Sequence, residues 1–294
     1  MATAEAVVYL NGEYLPRDRA CLPITDRGLL FGDSVYEVVP AYGGIPFRVT
    51  HHLQRLDRSL AAIGLQNPLS HADWQGIFEH LSRQLPGRDQ SIYLQVTRGA
   101  YPIRSHVIPD HVVPNVLAFT SVNPPPDPQT ASRGIRAITL EDIRWHRCDI
   151  KATTLLANVL ARAQAGAEGA DEAILVREGA AMEGTASNLF IVSNGLLITP
   201  PDSPELLPGI TRDLVLELAR ESGMPFAQAT IGATELAGAE EVWLTSSTRE
   251  IAPVVELNGR PVGDGKPGEL WHRMDALFQD CKERLRQGGD CRVD

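Results

Sequence analysis

Lysine is almost missing from this chain of 294 residues. It holds three, Lys151, Lys266 and Lys282, against twenty-four arginines. Arginine can replace lysine on a solvated surface. It cannot do so where a deprotonated amine must attack a carbonyl, because guanidinium stays protonated. Long apolar runs are also absent: none approaches the eighteen or more residues of a membrane span, so no membrane partner is expected. No basic run occurs either, and the net charge is −10. Such a chain is repelled by phosphodiester backbones, which speaks against nucleic acid. Cysteine is limited to Cys21, Cys148, Cys281 and Cys291, with no CxxC pair and no histidines at zinc spacing. No metal site is therefore expected, and all four are read as reduced thiols of a cytoplasmic protein. The opening MATAEAVVYLNGEYLP lacks a basic stretch followed by an apolar one, so no secretory signal is expected.

What is present reads as two mixed domains. VVYL and EYLP flank the turn pair Asn11-Gly12, which predicts a hairpin over 7–15. VYEVVPAY and IPFRV bracket Gly43-Gly44 as a second extended pair. Leu53, Leu56, Leu60 and Ile63 mark a helix from about 51 to 64, and Trp74, Ile77, Phe78 and Leu81 mark another after Ser70. Strands are predicted at 91–99 and 115–122. Pro124, Pro125, Pro126 and Pro128 make a stiff segment unfit for sheet or helix. The predicted division is therefore a domain over 1–122, a linker over 123–130 and a second domain over 131–294. In the second, strands are predicted at 135–140, 172–176, 188–193, 196–199, 241–245 and 253–257, and helices at 153–168, 211–222 and 268–286. The fold class is α+β, with too many hairpins for a doubly wound parallel sheet.

Lys266 lies in the turn DGKPG, and Lys282 lies on the last predicted helix; both read as solvated charges. Lys151 follows DIRWHRCDI, at the end of an extended segment, and precedes a helix of Thr, Leu, Ala and Val. Desolvation there would lower its pKa and make it a nucleophile. Gly209-Ile210-Thr211 opens the helix TRDLVLELARES, where amides and a hydroxyl face an anion at a helix N-terminus. Arg104 and His106 form an R-x-H pair in a loop. They suit a carboxylate trap, or are two solvated polar residues.

DRGLLFGDSVYEVV (26–39), VTRG (96–99), EDIRWHRCDIKATTLLANVLA (141–161), EGTASNLF (183–190), LLPGITRD (206–213) and LTSSTREIAPV (244–254) follow one another in that order. Together they resemble the fold-type IV, pyridoxal-5′-phosphate-dependent aminotransferases, and among these the D-amino-acid aminotransferases. The resemblance implies two domains, a smaller N-terminal α/β sandwich and a larger C-terminal mixed, β-barrel-like domain. It implies that Lys151 carries the cofactor as a Schiff base and shuttles a proton. Glu183 would pair with the pyridine nitrogen and keep it protonated. Ile210, Thr211, Ser246, Ser247 and Arg55 would hold the phosphate. Tyr36 would face the substrate, and Arg104 and His106 would take its carboxylate. Without the resemblance Arg55 reads as a surface charge, Glu183 as a strand-edge glutamate and Tyr36 as a sheet aromatic. Ser34 stands where FGDG commonly places glycine. The implied reaction is ping-pong transamination between a D-amino acid and a 2-oxo acid such as 2-oxoglutarate, through pyridoxamine phosphate, in a homodimer. Branched-chain L-amino-acid aminotransferase, (R)-amine transaminase and 4-amino-4-deoxychorismate lyase are the alternatives sharing this fold.

Overall fold

The structure is a computed structural model that describes residues 7–111, 113–123 and 133–289. The chain divides into two compact units. The first holds the described residues up to Asn123 together with Ile150–Thr154, and the second holds the remainder. Most of the proline-rich stretch, 124–130, lies outside the described residues.

The first unit is an antiparallel sheet covered by two helices. β1 (Val7–Leu10) and β2 (Glu13–Pro16) form the predicted hairpin, with Asn11 and Gly12 both at positive φ in its two-residue turn. After the short helix α1 (Arg27–Phe31) come β3 (Ser34–Tyr42), β4 (Ile45–Pro46), α2 (Val49–Ala62), α3 (His71–Ser82), β5 (Gln90–Thr97) and β6 (Asn115–Val122). The sheet order is β2-β1-β6-β5-β3-β4. β4 is shorter than IPFRV suggested, because Arg48 takes a left-handed conformation that turns the chain into α2. Ser70 caps α3 in a capping box with Asp73. Leu53, Leu56 and Leu60 of α2 and Trp74, Phe78 and Leu81 of α3 bury against Val39, Ile92, Leu94 and Val96 of the sheet. Each such side chain contributes about 1.5–3 kcal/mol on burial. Ile150 and Ala152 belong to the same core, so the residues on both sides of Lys151 are anchored.

The second unit holds β7 (Ile135–Glu141), α4 (Leu156–Ala167), β8 (Glu172–Arg177), β9 (Ala180–Gly184), β10 (Asn188–Ser193), β11 (Leu196–Thr199), α5 (Ile210–Glu221), β12 (Phe226–Gln228), β13 (Ile231–Gly232), α6 (Ala233–Ala237), β14 (Glu241–Ser246), β15 (Glu250–Leu257), β16 (Arg260–Pro261) and α7 (Glu269–Arg286). Strands β10, β14, β15, β7, β8 and β9 pair in turn, and the Asn188–Glu183 pair returns β9 to β10. The result is a closed six-stranded barrel with no open edge between these strands. β15–β7 and β7–β8 are parallel and the other barrel pairs antiparallel, which is the expected mixed barrel. A parallel β7–β8 step needs a long crossover. That crossover carries both Lys151 and α4. Helix α4 begins at Leu156 rather than 153, since 150–154 runs without regular structure.

Two side-chain expectations are corrected. Lys282 is buried rather than solvated, and its Nζ donates to Glu250 Oε1 at 2.6 Å. Cys281, on α7, is disulfide-bonded, so the four cysteines are not all reduced thiols. Cys21 and Cys148 are free, and Lys266 is exposed as expected.

Candidate active site

In the first unit the peptide around Lys151 is fastened to the start of β3. The Lys151 carbonyl accepts from the Tyr36 amide at 3.0 Å, and Thr153 N–H donates to the Ser34 carbonyl at 3.1 Å. The hydroxyls of Ser34 and Thr153 also bond to each other, and Ser34 Oγ accepts from Gln95 Nε2. The residue in the place of the usual glycine thus helps fix the lysine segment. Ser59 Oγ on α2 accepts from the Lys151 amide at 3.2 Å. With its backbone held this way, Lys151 is half-buried, and its Nζ lies 4.4 Å from the centre of the Tyr36 ring. Tyr36 is half-buried and stacks on Tyr93, so the predicted lysine and substrate-side tyrosine meet.

Alternation along β3 sends Glu37 to the other face, where it is fully buried. Arg55 Nε and Nη2 donate to its two oxygens at 2.7 and 2.8 Å, and His52 Nδ1 donates at 2.7 Å. Burial pushes the Glu37 carboxyl up, but Arg55 and then His52 outweigh it and hold it well below the usual carboxylate range. Arg55 is thus buried on α2, not the surface charge its helix position suggested. Glu37 and His52 were not among the predicted site residues.

Arg104 and His106 are both exposed and meet at the ring of Phe31. The Arg104 guanidinium lies 5.0 Å from the ring centre, and the His106 ring lies 5.1 Å from it. Arg27, buried at the start of α1, donates to the Ser105 carbonyl at 2.7 Å and so ties this loop to α1. The R-x-H pair therefore converges on one aromatic ring, the Arg104 guanidinium as a cation over Phe31 and the His106 ring tilted against it.

In the second unit, Glu183 sits near the end of β9 and is buried. Arg144 Nη1 donates to its Oε1 at 2.5 Å, while Asn188 Nδ2 (3.1 Å) and the Leu207 amide (3.2 Å) donate to Oε2. Arg144 is shared: its Nε and Nη2 also donate to Asp142, which in turn pairs with Arg177 at 2.9 Å. Burial raises the Glu183 pKa more than Arg144 lowers it, and Asp142 adds to the rise. Glu183 is a buried carboxylate still short of positive charge, and a protonated ring nitrogen would supply it. The sequence reading missed Arg144. It is one of two arginines in DIRWHRCDIK, and only the barrel distinguishes the buried Arg144 from the exposed Arg147.

Apart from Arg55, which lies in the first unit, the anion-binding candidates lie in the second. No side chain caps the start of α5 at Gly209. A Cβ on Gly209 would fall 1.8 Å from Asn188 Oδ1, so only glycine allows that helix start to pass the residue holding Glu183. Ile210 and Thr211 are buried there, and Ser246 and Ser247 are half-buried at the end of β14. The hydroxyls of Ser187 and Thr245 flank this region through Asn188, which pairs with Thr245 across β10–β14. Both hydroxyls are buried without a partner and so can still bond a polar ligand. These residues fit a phosphorylated pyridine. Among the described residues no group of three His, Cys, Asp or Glu could hold a metal.

The second unit thus offers a buried carboxylate beside an uncapped helix start, and the first a lysine whose backbone is held on both sides. Residues 34–257 match the amino-transferase class IV family. The chain is 38% identical over 273 residues to the D-alanine aminotransferase of Bacillus licheniformis, covering 93% of this chain and 96% of that one. It is 39% identical to the D-alanine aminotransferase of Listeria monocytogenes serotype 1/2a, covering 92% and 94%. Among solved structures, the T.th. branched-chain amino acid aminotransferase with pyridoxamine 5′-phosphate superposes with a TM-score of 0.87 at 26% identity, covering 95% and 94%. The chain belongs to the class IV aminotransferase family.

Proposed function

We propose that this chain transaminates D-amino acids, D-alanine among them, with a 2-oxo acid as acceptor and pyridoxal 5′-phosphate as cofactor. The observation that carries the reading is 38–39% identity along nearly the whole chain to D-alanine aminotransferases, against 26% to the branched-chain enzyme. When bound, the cofactor takes up an amino group from one substrate, delivers it to the next and absorbs the charge left on Cα. Lys151 is the amine that holds the cofactor and moves the proton at Cα. Glu183 holds a proton on the ring nitrogen. Ile210, Thr211, Ser246, Ser247 and Arg55 hold the phosphate. Tyr36 lines the substrate, and Arg104 and His106 clamp its carboxylate.

Handedness follows from that clamp. Lys151 would take only a Cα hydrogen that is presented to its amine. A carboxylate anchored by Arg104 and His106 presents the hydrogen of one enantiomer and turns that of the other away. A homodimer and a cytoplasmic location belong to the same reading. The dimer is supported by the exposed Leu156, Val159 and Leu160 at i, i+3, i+4 on α4.

The test is pyruvate formation from D- and L-alanine with 2-oxoglutarate, in the wild type and in Arg104→Ala. The wild type should use D-alanine. The variant should lose about one to two orders of magnitude in kcat/KM on it, since charge-assisted bonds contribute about 1.5–3 kcal/mol each. It should lose less on an amine without a carboxylate. Preference for L-alanine would overturn the reading in favour of a branched-chain enzyme.

A further inference from the structure

Glu172, the first residue of β8, has no role in the site as described, yet it is a buried acid whose two oxygens divide between two segments that do. Oε1 accepts from the Thr185 hydroxyl, from the Thr185 amide at 3.3 Å and from its neighbour Ala173 at 3.1 Å. Thr185 belongs to the turn that joins Glu183 to Asn188, and its carbonyl is fixed in turn by Asn158 of α4 at 2.7 Å. Oε2 accepts from Arg249 Nη1 at 3.2 Å. Arg249 ends the turn after β14, its amide donating to Ser246 Oγ at 3.1 Å and its Nη2 to the Asp171 carbonyl at 3.3 Å.

We propose that Glu172 is a positioning residue that sets the seat of the cofactor phosphate relative to the acid that serves its ring. The inference rests on the roles given above to Glu183, Ser246 and Ser247. A rigid strand start suits this task, because β8 is paired on both sides within the barrel. The Ser246–Arg249 turn has exposed residues at its tip, and the Arg249 guanidinium tethers it to the barrel wall. Without that tether the serine hydroxyls lose their fixed distance from Glu183, and preorganisation toward a phosphate is lost.

The two oxygens make separable predictions. Binding of pyridoxal 5′-phosphate and of pyridoxal, which lacks the phosphate, should be titrated into the apoenzyme by equilibrium dialysis. Arg249→Ala, at a partly exposed position, should weaken the phosphorylated form about tenfold and pyridoxal less than about twofold. Glu172→Gln releases both turns and should weaken both ligands. If Arg249→Ala changes the two affinities by one common factor, or changes neither, Glu172 is only a structural acid. A Ser246→Ala/Ser247→Ala control separates that failure from failure of the underlying reading. If the control weakens the phosphorylated form and Arg249→Ala does not, the positioning role alone is lost. If the control leaves that affinity unchanged, the phosphate assignment falls and the positioning role with it.

Discussion

Glu37 and Glu183 are both buried glutamates gripped by an arginine, and their proton affinities move in opposite directions. Arg55 meets Glu37 through two nitrogens, and His52 adds a third donor, so the charge is compensated and the pKa falls. Glu183 receives a single nitrogen of Arg144, whose other donors serve Asp142, and burial wins. The contrast shows that an arginine at hydrogen-bond distance does not by itself decide the state of a buried acid. What counts is how many of its donors the acid receives, and which other anions share it. Glu37 is complete in itself and serves to hold Arg55. Glu183 remains able to accept one more cation.

The largest effect expected from breaking this contrast is on stability, at Glu37. Glu37→Gln leaves Arg55 buried without its carboxylate and should cost about 3–5 kcal/mol in urea unfolding. A loss below about 1 kcal/mol would show that Arg55 does not depend on it. Next comes Glu183→Gln. An amide cannot hold the ring proton, so kcat should fall by about two orders of magnitude, or ~2.8 kcal/mol, with cofactor content retained. Unchanged kcat at full cofactor content would make Glu183 structural.

The subtlest effect is on pH dependence, where the two acids differ in sign. Glu37, with its folded pKa lowered, contributes stability that is present above the ordinary value of about 4.5 and lost as pH falls through its lowered value. Glu183, with its folded pKa raised, contributes stability that is present below about 4.5 and lost as pH rises through its raised value. Unfolding free energies of the apoenzyme across pH 2–7 should therefore flatten at the acid end in Glu37→Gln. In Glu183→Gln they should flatten above 4.5. Matching curves for the two variants would remove the distinction.

The elements legible in the sequence were those with local signatures. Asn11-Gly12 marked a hairpin and Ser70 a helix start, and β6, β10 and β11 fall on their predicted residues. The strand carrying Glu183, β9, was not foreseen. AAMEG has little strand propensity and is held by pairing to β8, β13 and β10. Side-chain burial was harder still. Lys282 was judged by the apolar stripe of α7, whereas its fate is set by Glu250, thirty-two positions away. Arg144, Glu172 and the Glu37–His52–Arg55 cluster were invisible for the same reason: each depends on which charges the closed barrel or the helix-covered sheet brings together. The residues proposed for the chemistry came through a different route, the order of six short motifs, and the scarcity of lysine narrowed the search to three positions.

That scarcity also provides the most direct measurement. Borohydride reduction of the enzyme loaded with pyridoxal 5′-phosphate, followed by peptide mapping, should place the label on the peptide holding Lys151, and Lys151→Ala should abolish both label and steady turnover. Label on Lys266 or Lys282, or an unlabelled protein that still turns over D-alanine, would contradict the account.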